Sequence, residues 1–316
     1  MTHPDTGLPA DNITGDLSTR SGYTSPTNIG GLMWSAIVAR ELRIINPGEC
    51  NRLLRRTLRT LLRMEHHEPS GMYYNWYDEA TGEALRTWPG TGDTVHPFVS
   101  SVDNGWLGAA LWVVRNSVPG NAKLAGALFD RMRWDAFYNP DGPREGGLMH
   151  GGFFPFDHDR PGGVYRGSHI DAPDVWLTTH HYDTIVSESR ITSYLAIMTG
   201  QAPPEHYFAS WRTFPATCDW SWHEMQPVGQ TRTYLGIDVY EGAYTYRGMR
   251  IVPGWGGSMF EELMAQRLRP RGGVGPALVG QEPPAARARP NRARHEGSGL
   301  RLLGLLPGQR PVRQLS

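Results

Sequence analysis

The sequence predicts an all-α fold built as an α/α toroid, a ring of helical hairpins with a cleft at one face. Two observations predict it. Apolar residues recur at helical spacing in successive pairs of segments before position 264. The loops between these segments are long, and they are dense in aromatic residues and glycines rather than in Ser, Lys and Glu. Loops of that kind are usually functional rather than disordered, so we expect them to form the cleft.

The individual helices are predicted from caps and apolar spacing. Ser25 caps the first helix, and Pro47 suits the first turn of the second. The apolar pattern places helices at 29–45, 48–66, 102–117, 120–132, 187–199, 204–211 and, at its start only, 258–264. The stretch 229–253 alternates and is rich in Thr, Tyr and Val, which predicts one or two β-hairpins. The remaining long segments are predicted as loops, at 67–99, 133–186 and 212–228.

The composition of the chain changes at Met264. All 33 Phe, Trp and Tyr residues lie before that position, and the last 52 residues contain none. Residues 1–264 hold 21 Lys and Arg against 29 Asp and Glu, a net charge of −8, whereas residues 265–316 hold 10 Arg against 2 Glu, a net charge of +8. We therefore predict three regions: an irregular leader at 1–22, one domain at 23–264 and a basic tail at 265–316.

The predicted tail contains 7 prolines and 8 glycines among its 52 residues. That composition predicts disorder, apart from a short helix near 299–306, because too little apolar periodicity is present to offset the entropy of ordering. A basic tail that binds nucleic acid or acidic lipid is the alternative interpretation.

Composition excludes several classes of protein. The aromatic-rich part is modestly acidic, so nucleic acid is not expected as a partner. No apolar run of about 18 residues occurs, so neither a membrane span nor a membrane partner is predicted. The polar start predicts a cytoplasmic chain as written, and a misplaced start codon would leave a secreted or periplasmic location open. Cys50 and Cys218 are too few for a disulfide framework.

Polar and aromatic clusters are the candidates for chemistry. They lie at 73–78, 100–106, 180–190 and 219–224, with 255–258 further along the chain. Aromatic rings beside carboxylates, amides, His and Arg suit a sugar site, because flat rings stack on the C–H faces of pyranoses and polar groups bind the hydroxyls. Two carboxylates that flank a glycosidic bond can then supply acid–base catalysis.

Each cluster also has a structural interpretation. Asp103 can be a helix N-terminal charge that offsets the macrodipole. Glu188 can be a first-turn helix residue paired with Arg190. The His-His-Tyr-Asp string at 180–183 can bind a metal, but it lacks the i, i+4 pair of helical metal sites, so no metal is predicted.

Five strings occur in the order found in one protein family. They are TSPTNIG at 24–30, YNWYD at 74–78, SSVDNGWLGAALWVV at 100–114, SESRITSYLAIMTGQAPPEHYF at 187–208 and WGGSMFEELM at 255–264. Over about residues 23–264 the sequence resembles the bacterial glycoamylase-like family, which is related to β-1,2-glucan hydrolases and to the transglycosylase part of cyclic β-1,2-glucan synthases.

The resemblance implies an (α/α)6 toroid and glycan chemistry. The family's Ser-Glu-x-Arg glutamate, which is thought to act as the proton donor, falls on Glu188. The Val-Asp string puts Asp103 at the cleft face.

The resemblance ends at Met264, where family members continue through further helices that close the ring. Deleting one nucleotide after the Met264 codon permits the continuation MPNDFVPEEVWA, which the family predicts. We therefore expect a frameshift in the gene or in its sequencing, an incomplete toroid and an enzyme that is impaired as encoded.

These observations predict a glycoside hydrolase that acts on β-linked glucan by carboxylate acid–base catalysis. Its expected partner is an oligo- or polysaccharide substrate, and no cofactor is expected. The predicted catalytic residues are Glu188 and Asp103. The predicted substrate-binding residues are Trp76, Asp78, Trp106, His180, His181, Tyr182, Asp183, Arg190, Trp220, Trp222, Glu241 and Trp255. The competing hypothesis is a non-catalytic glycan-binding protein.

Overall fold

The computed structural model describes residues 2–156, 163–213 and 226–252. The chain divides into two compact units. Unit 1 comprises Met1–Pro143, Gly147–Tyr182 and Ile191–Pro203. Unit 2 comprises Arg144–Gly146, Asp183–Arg190 and Pro204–Ser316. The predicted helix start at 258–264 and the predicted tail at 265–316 lie outside the described residues.

All six complete helices predicted from the sequence are present. They are α1 (Pro26–Glu41), α2 (Pro47–Leu61), α3 (Ser101–Ser117), α4 (Ala122–Asp130), α5 (Arg190–Met198) and α6 (His206–Ala209). A short 3-10 turn at Pro119–Asn121 precedes α4. The prediction placed the helix ends only to within a few residues, because helix ends depend on local hydrogen bonds rather than on apolar spacing.

Side-chain caps fix where the first three helices begin. The Ser25 hydroxyl accepts the backbone N–H of Asn28 at the start of α1. Asn46 and Glu49 form a reciprocal capping box at α2, with both hydrogen bonds at 2.9 Å. Ser100 caps α3 by accepting the N–H of Asp103 at 3.2 Å. These bonds satisfy backbone donors that would otherwise be unpaired at each helix start.

Helices α1 and α3 form the centre of unit 1. Gly30 of α1 lies directly on the backbone of Trp106 in α3, and a Cβ at Gly30 would be 2.9 Å from the Trp106 carbonyl oxygen. A second glycine, Gly108 of α3, packs against the indole of Trp134. These glycines allow close approach of the packed elements, and the Trp134 side chain is fully buried.

Fourteen short strands accompany the helices in the described part of the chain. They are β1 (Tyr23–Thr24), β2 (His66–His67), β3 (Met72–Tyr73), β4 (Tyr77–Asp78), β5 (Val99–Ser100), β6 (Tyr138–Asn139), β7 (Leu148–His150), β8 (Gly152–Phe154), β9 (Val164–Gly167), β10 (Val175–Thr178), β11 (His181–Tyr182), β12 (Val228–Tyr234), β13 (Ile237–Tyr246) and β14 (Met249–Ile251). They form five sheets with the orders β1-β4, β2-β3, β5-β8-β10-β9, β11-β7-β6 and β12-β13-β14.

The prediction of an all-α toroid is therefore wrong. The described residues are 33% helical and 24% strand. The described parts of the segments 67–99 and 133–186, predicted as loops, contain short antiparallel ladders in which backbone groups pair. Most of these strands have only two to four residues, which is too short for an alternating apolar pattern to be recognised.

The leader at 2–22 packs on α2 within unit 1. Leu8 is completely buried. The Thr57 hydroxyl donates to the carbonyl oxygen of Gly7 at 2.9 Å, and the Thr60 hydroxyl donates to that of Thr6 at 2.7 Å. The segment lacks long elements but is tied to the domain by these bonds.

The described part of unit 2 is built around the antiparallel sheet β12-β13-β14, which lies against α6. This sheet confirms the hairpins predicted at 229–253. Leu235 and Gly236 form the first tight turn with positive φ angles of 50° and 86°. Among the helices of the described residues, none has the length and apolar character needed to cross a membrane.

The contact between Gly30 and Trp106 yields a stability prediction. We expect Gly30→Ala to lower the free energy of unfolding by about 1–3 kcal/mol, because the new methyl group overpacks a backbone contact. The matched control is Gly31→Ala, since a Cβ there meets nothing within 4 Å. The control should raise stability by about 1 kcal/mol through helix propensity. Urea unfolding of both variants measures the difference, and equal effects would contradict the proposed close approach.

Candidate functional site

Asp103 lies in the first turn of α3, immediately after its cap. Its Oδ1 atom accepts a hydrogen bond of 2.6 Å from the hydroxyl of Thr27 in α1. Burial raises the pKa of the Asp103 carboxyl, while hydrogen bonds from Thr27 and Ser100 act in the opposite direction. The carboxylate lies at the helix start, as the structural interpretation expects, and its catalytic role stays a prediction.

The string at 73–78 is held against the same helix. Asn104, next to Asp103, accepts the backbone N–H of Tyr73 at 2.8 Å and donates to its carbonyl oxygen at 2.9 Å. The buried hydroxyl of Tyr77 donates to the Glu65 carbonyl oxygen at 2.7 Å. The structure thus brings two of the predicted clusters, 73–78 and 100–106, together in unit 1.

The aromatic ring of Trp76 belongs to a cluster of three. Its centroid lies 5.5 Å from that of Tyr23 and 5.3 Å from that of Trp88, and both contacts are edge-to-face. All three side chains are half-buried. The sequence analysis did not select Tyr23 and Trp88, since a lone aromatic residue in a loop carries no signal of its partners.

Two other predicted sugar-contacting residues of unit 1 have structural roles. Trp106 is 5% exposed, and its backbone carbonyl is the one covered by Gly30. Asp78 uses Oδ1 to accept the N–H groups of Ala80 and Thr81, both at 2.8 Å, and so caps a turn after β4.

A histidine cluster lies on the strands that follow. His150 of β7 is completely buried, and its Nδ1 atom is 2.7 Å from the carbonyl oxygen of Thr178. Because a carbonyl can only accept, Nδ1 carries the proton and Nε2 is an acceptor. The Nε2 atom lies 3.0 Å from Nε2 of His169 and 3.1 Å from the Tyr165 hydroxyl, either of which can donate. The sequence analysis missed His150 and His169.

Three predicted residues, His180, His181 and Tyr182, lie on or next to the strand that pairs with β7. The ring of His181 lies 4.3 Å from that of His150, and its Nε2 atom is 3.0 Å from Nδ2 of Asn139. His180 is exposed, and its ring lies directly on Gly151, so that a side chain at position 151 would require the ring to move. Tyr182 is half-buried, with its ring 6.1 Å from that of His180.

Burial keeps this cluster uncharged. Desolvation, together with the neighbouring His181 and His169, lowers the pKa of His150 to about 3. Burial also lowers the pKa of both neighbours. Within the ranges that the structure describes, no group of three or more His, Cys, Asp or Glu side chains is placed to hold a metal ion. The contacts of the cluster are those of a hydrogen-bond network.

Glu188 belongs to unit 2 and lies in the turn before α5. Its position is therefore ahead of the helix rather than in the first helical turn. The flanking Ser187 and Ser189 are buried, at 2% and 3% exposure, while Glu188 itself is half-buried. Arg190 donates from Nη1 to the carbonyl oxygen of Ile185 at 3.1 Å and so braces the same turn.

The other predicted residues of unit 2 have distinct environments. The carbonyl oxygen of Asp183 accepts the N–H of Trp211, and burial raises the pKa of the Asp183 carboxyl. Glu241 of β13 accepts the Tyr234 hydroxyl at 2.7 Å and pairs with Arg232 at 3.2 Å. The Glu241 carboxylate thus contacts side chains of the neighbouring strand β12.

Three predicted residues, Trp220, Trp222 and Trp255, lie outside the described residues. The two predicted catalytic carboxylates belong to different units, Asp103 to unit 1 and Glu188 to unit 2.

Comparisons with known proteins agree with the resemblance inferred from the motifs. No family model matches the chain, and no curated protein matches it. Twelve solved chains do match. One is an endo-β-1,2-glucanase from Talaromyces funiculosus, in which a glutamate-to-glutamine mutant is complexed with β-1,2-glucan. It has a TM-score of 0.52 and 14% sequence identity, and the match covers 84% of this chain and 53% of the enzyme.

Two further matches have lower TM-scores. The endo-β-1,2-glucanase from Chitinophaga pinensis, complexed with sophorotriose and glucose, has a TM-score of 0.45 at 13% identity, covering 80% of this chain and 51% of that enzyme. A Bacteroides caccae protein assigned as a glucoamylase has a TM-score of 0.44 at 14% identity, covering 78% and 52%. The chain spans about half the length of these solved structures.

The likeness to the Talaromyces enzyme shows a shared fold. That enzyme is an endo-β-1,2-glucanase, so the predicted resemblance to a family related to β-1,2-glucan hydrolases is confirmed at the level of the fold.

The buried His150 yields a pH prediction. Its pKa is about 3 when folded, below the value of 6.5 expected in the unfolded chain, so the unfolded state binds more protons between these values. We expect stability to fall as pH is lowered from 6.5, with a slope of up to about 1.4 kcal/mol per pH unit from this one group.

His150→Asn should remove that contribution to the slope, since the Asn amide can keep the bond to the Thr178 carbonyl without titrating. Urea unfolding between pH 4 and pH 7.5 measures it, using parent and variant in parallel. Identical slopes for the two proteins would contradict the assignment of a buried neutral histidine.

Proposed function

We propose that this chain is a glycoside hydrolase that acts on β-linked glucan. The observation that carries the proposal is the fold shared with the Talaromyces endo-β-1,2-glucanase, whose mutant is complexed with β-1,2-glucan. The Ser-Glu-x-Arg motif at 187–190 adds a carboxyl group that the resemblance associates with proton donation.

Glu188 is proposed to donate a proton to the leaving oxygen. An acid of this kind must be held in place and still reach a substrate. The turn meets both requirements, because Ser187 and Ser189 are buried on either side of the half-buried Glu188. Arg190 braces the turn through the Ile185 carbonyl oxygen.

Asp103 is proposed as the second carboxylate, which activates water or attacks the sugar. Either role needs the ionised form. Burial opposes ionisation of Asp103, and hydrogen bonds from Thr27 and Ser100 favour it. This balance is typical of groups whose protonation is adjusted to a task.

Sugar contacts are proposed for Trp76 and Tyr182, with Trp88 and Tyr23 added because they share the ring cluster of Trp76. Trp106 is not retained as a stacking residue, since it is buried between helices. A β-1,2 linkage is favoured, because the glucanase that shares this fold is complexed with that glucan.

The test of catalysis is Glu188→Gln, made in the 316-residue chain and in a protein restored in frame after Met264. We expect release of reducing sugar from β-1,2-glucan to fall by about 10²–10⁴-fold, with binding of the glucan retained, because the amide keeps the shape but cannot donate the proton. The matched control is Glu83→Gln, an exposed glutamate of unit 1, which should leave turnover unchanged. Parallel assays on β-1,3- and α-1,4-glucans define the linkage.

The outcomes separate the two hypotheses. Unchanged turnover in Glu188→Gln would remove Glu188 from the mechanism. Tight binding of glucan with no hydrolysis, in the parent chain and in the frame-restored protein alike, would favour a glycan-binding protein. A protein restored in frame after Met264 is the comparison that tests the predicted impairment.

A further inference from the structure

The hydroxyl of Thr27 connects two helices at the position of the proposed second carboxylate. Thr27 lies in the first turn of α1, just after its cap Ser25. Its hydroxyl donates to Oδ1 of Asp103 at 2.6 Å, although the two residues are 76 positions apart in the sequence. No sequence pattern used above assigns Thr27 a role.

We propose that Thr27 is a positioning residue for Asp103, which orients the carboxylate and favours its ionised form. The proposal rests on the proposed function, in which Asp103 acts as the second carboxylate of a glucan hydrolase. It assigns the start of α1 a part in the chemistry, in addition to its packing role.

The first support is geometric. Gly30, one helical turn after Thr27, sets the close approach of α1 to the Trp106 backbone of α3. The Ser100 cap fixes the start of α3 and thereby the position of Asp103. The Thr27 hydroxyl is consequently presented to the carboxylate by two helices that are each capped and packed.

The second support is electrostatic. The hydroxyl and the backbone amide of Thr27, together with the Ser100 hydroxyl, all lower the pKa of Asp103 against the effect of burial. The start of α1 also carries the partial positive charge of the helix dipole, which favours an anion there.

Charged side chains on the neighbouring helices serve other contacts. Arg40 of α1 donates to the Ser117 carbonyl oxygen at the far end of α3, at 3.2 Å, and pairs with Glu41. Arg115 of α3 pairs with Asp130 of α4 at 2.7 Å. These groups lie three or more helical turns along α3 from Asp103, which corresponds to more than about 15 Å.

Two further titratable groups lie on elements near α3. Lys123 of α4 is exposed. His150 of β7 accepts the Ser101 hydroxyl through its carbonyl oxygen at 2.8 Å, while burial lowers the pKa of its ring to about 3 and keeps it neutral.

The experiment compares Thr27→Val, which has the same shape without the hydroxyl, with Thr27→Ser, which keeps it. The first measurement is kcat/KM on β-1,2-glucan as a function of pH. We expect Thr27→Val to lower kcat/KM about tenfold on the acidic side of the optimum and to recover at higher pH, because a lost hydrogen bond to the anion favours the protonated acid. Thr27→Ser should restore the parent profile.

A second measurement does not depend on turnover. Carbon-13 NMR titration of labelled aspartate carboxyls, with Asp103→Asn to assign the signal, gives the pKa of Asp103 in each variant. The pKa should rise in Thr27→Val and return toward the parent value in Thr27→Ser. Thermal unfolding of the same variants separates this effect from a loss of helix packing.

The results distinguish the positioning role of Thr27 from the proposed hydrolase function. A lower melting temperature in Thr27→Val with an unchanged Asp103 titration and an unchanged pH profile would overturn the positioning role and leave the hydrolase proposal intact. A shifted titration, with no hydrolysis of glucan by the parent chain or by the frame-restored protein, would support the link between Thr27 and Asp103 and reject the proposed function.

Discussion

The close packing of α1 on α3 is the contact on which the rest of unit 1 depends. It requires Gly30, because a side chain there would meet the Trp106 carbonyl oxygen. The same approach brings Thr27 to Asp103 and leaves Asn104 in register to bind the backbone of Tyr73. Gly30 and the Thr27 hydroxyl therefore fix the helix pair, and the Asn104 amide fixes the segment around Tyr73 that packs beside it.

Burial disfavours the charged form of two polar groups of this unit, but their hydrogen-bond partners act differently. At His150 the ring is neutral, with one donor and one acceptor satisfied by fixed partners. At Asp103 burial raises the pKa of the carboxyl, and hydrogen bonds from Thr27 and Ser100 oppose that rise. A carbonyl, an imidazole and a hydroxyl accommodate a neutral ring, whereas clustered N–H and O–H donors favour an anion.

In their described parts, the aromatic segments at 67–99 and 133–186 are packed, but they are not free of secondary structure as predicted. Their tyrosines and tryptophans are held by hydrogen bonds and edge-to-face contacts, as at Tyr77 and Trp76. Their backbone, however, pairs in ladders of two to four residues. Such ladders join segments distant in sequence, for example Val99 with Phe153, and their pairing partners have no local signature.

The sequence by itself determined the helices, their caps and the candidate carboxylates, because caps and apolar spacing act over a few neighbouring residues. It also carried the motifs that resemble a glycan-active family. Only the tertiary structure decided that the fold contains five small sheets and that Trp106 is buried. It alone paired Thr27 with Asp103. These features depend on contacts between residues far apart in the chain, and such contacts form only when the packed helices and paired strands bring their partners together.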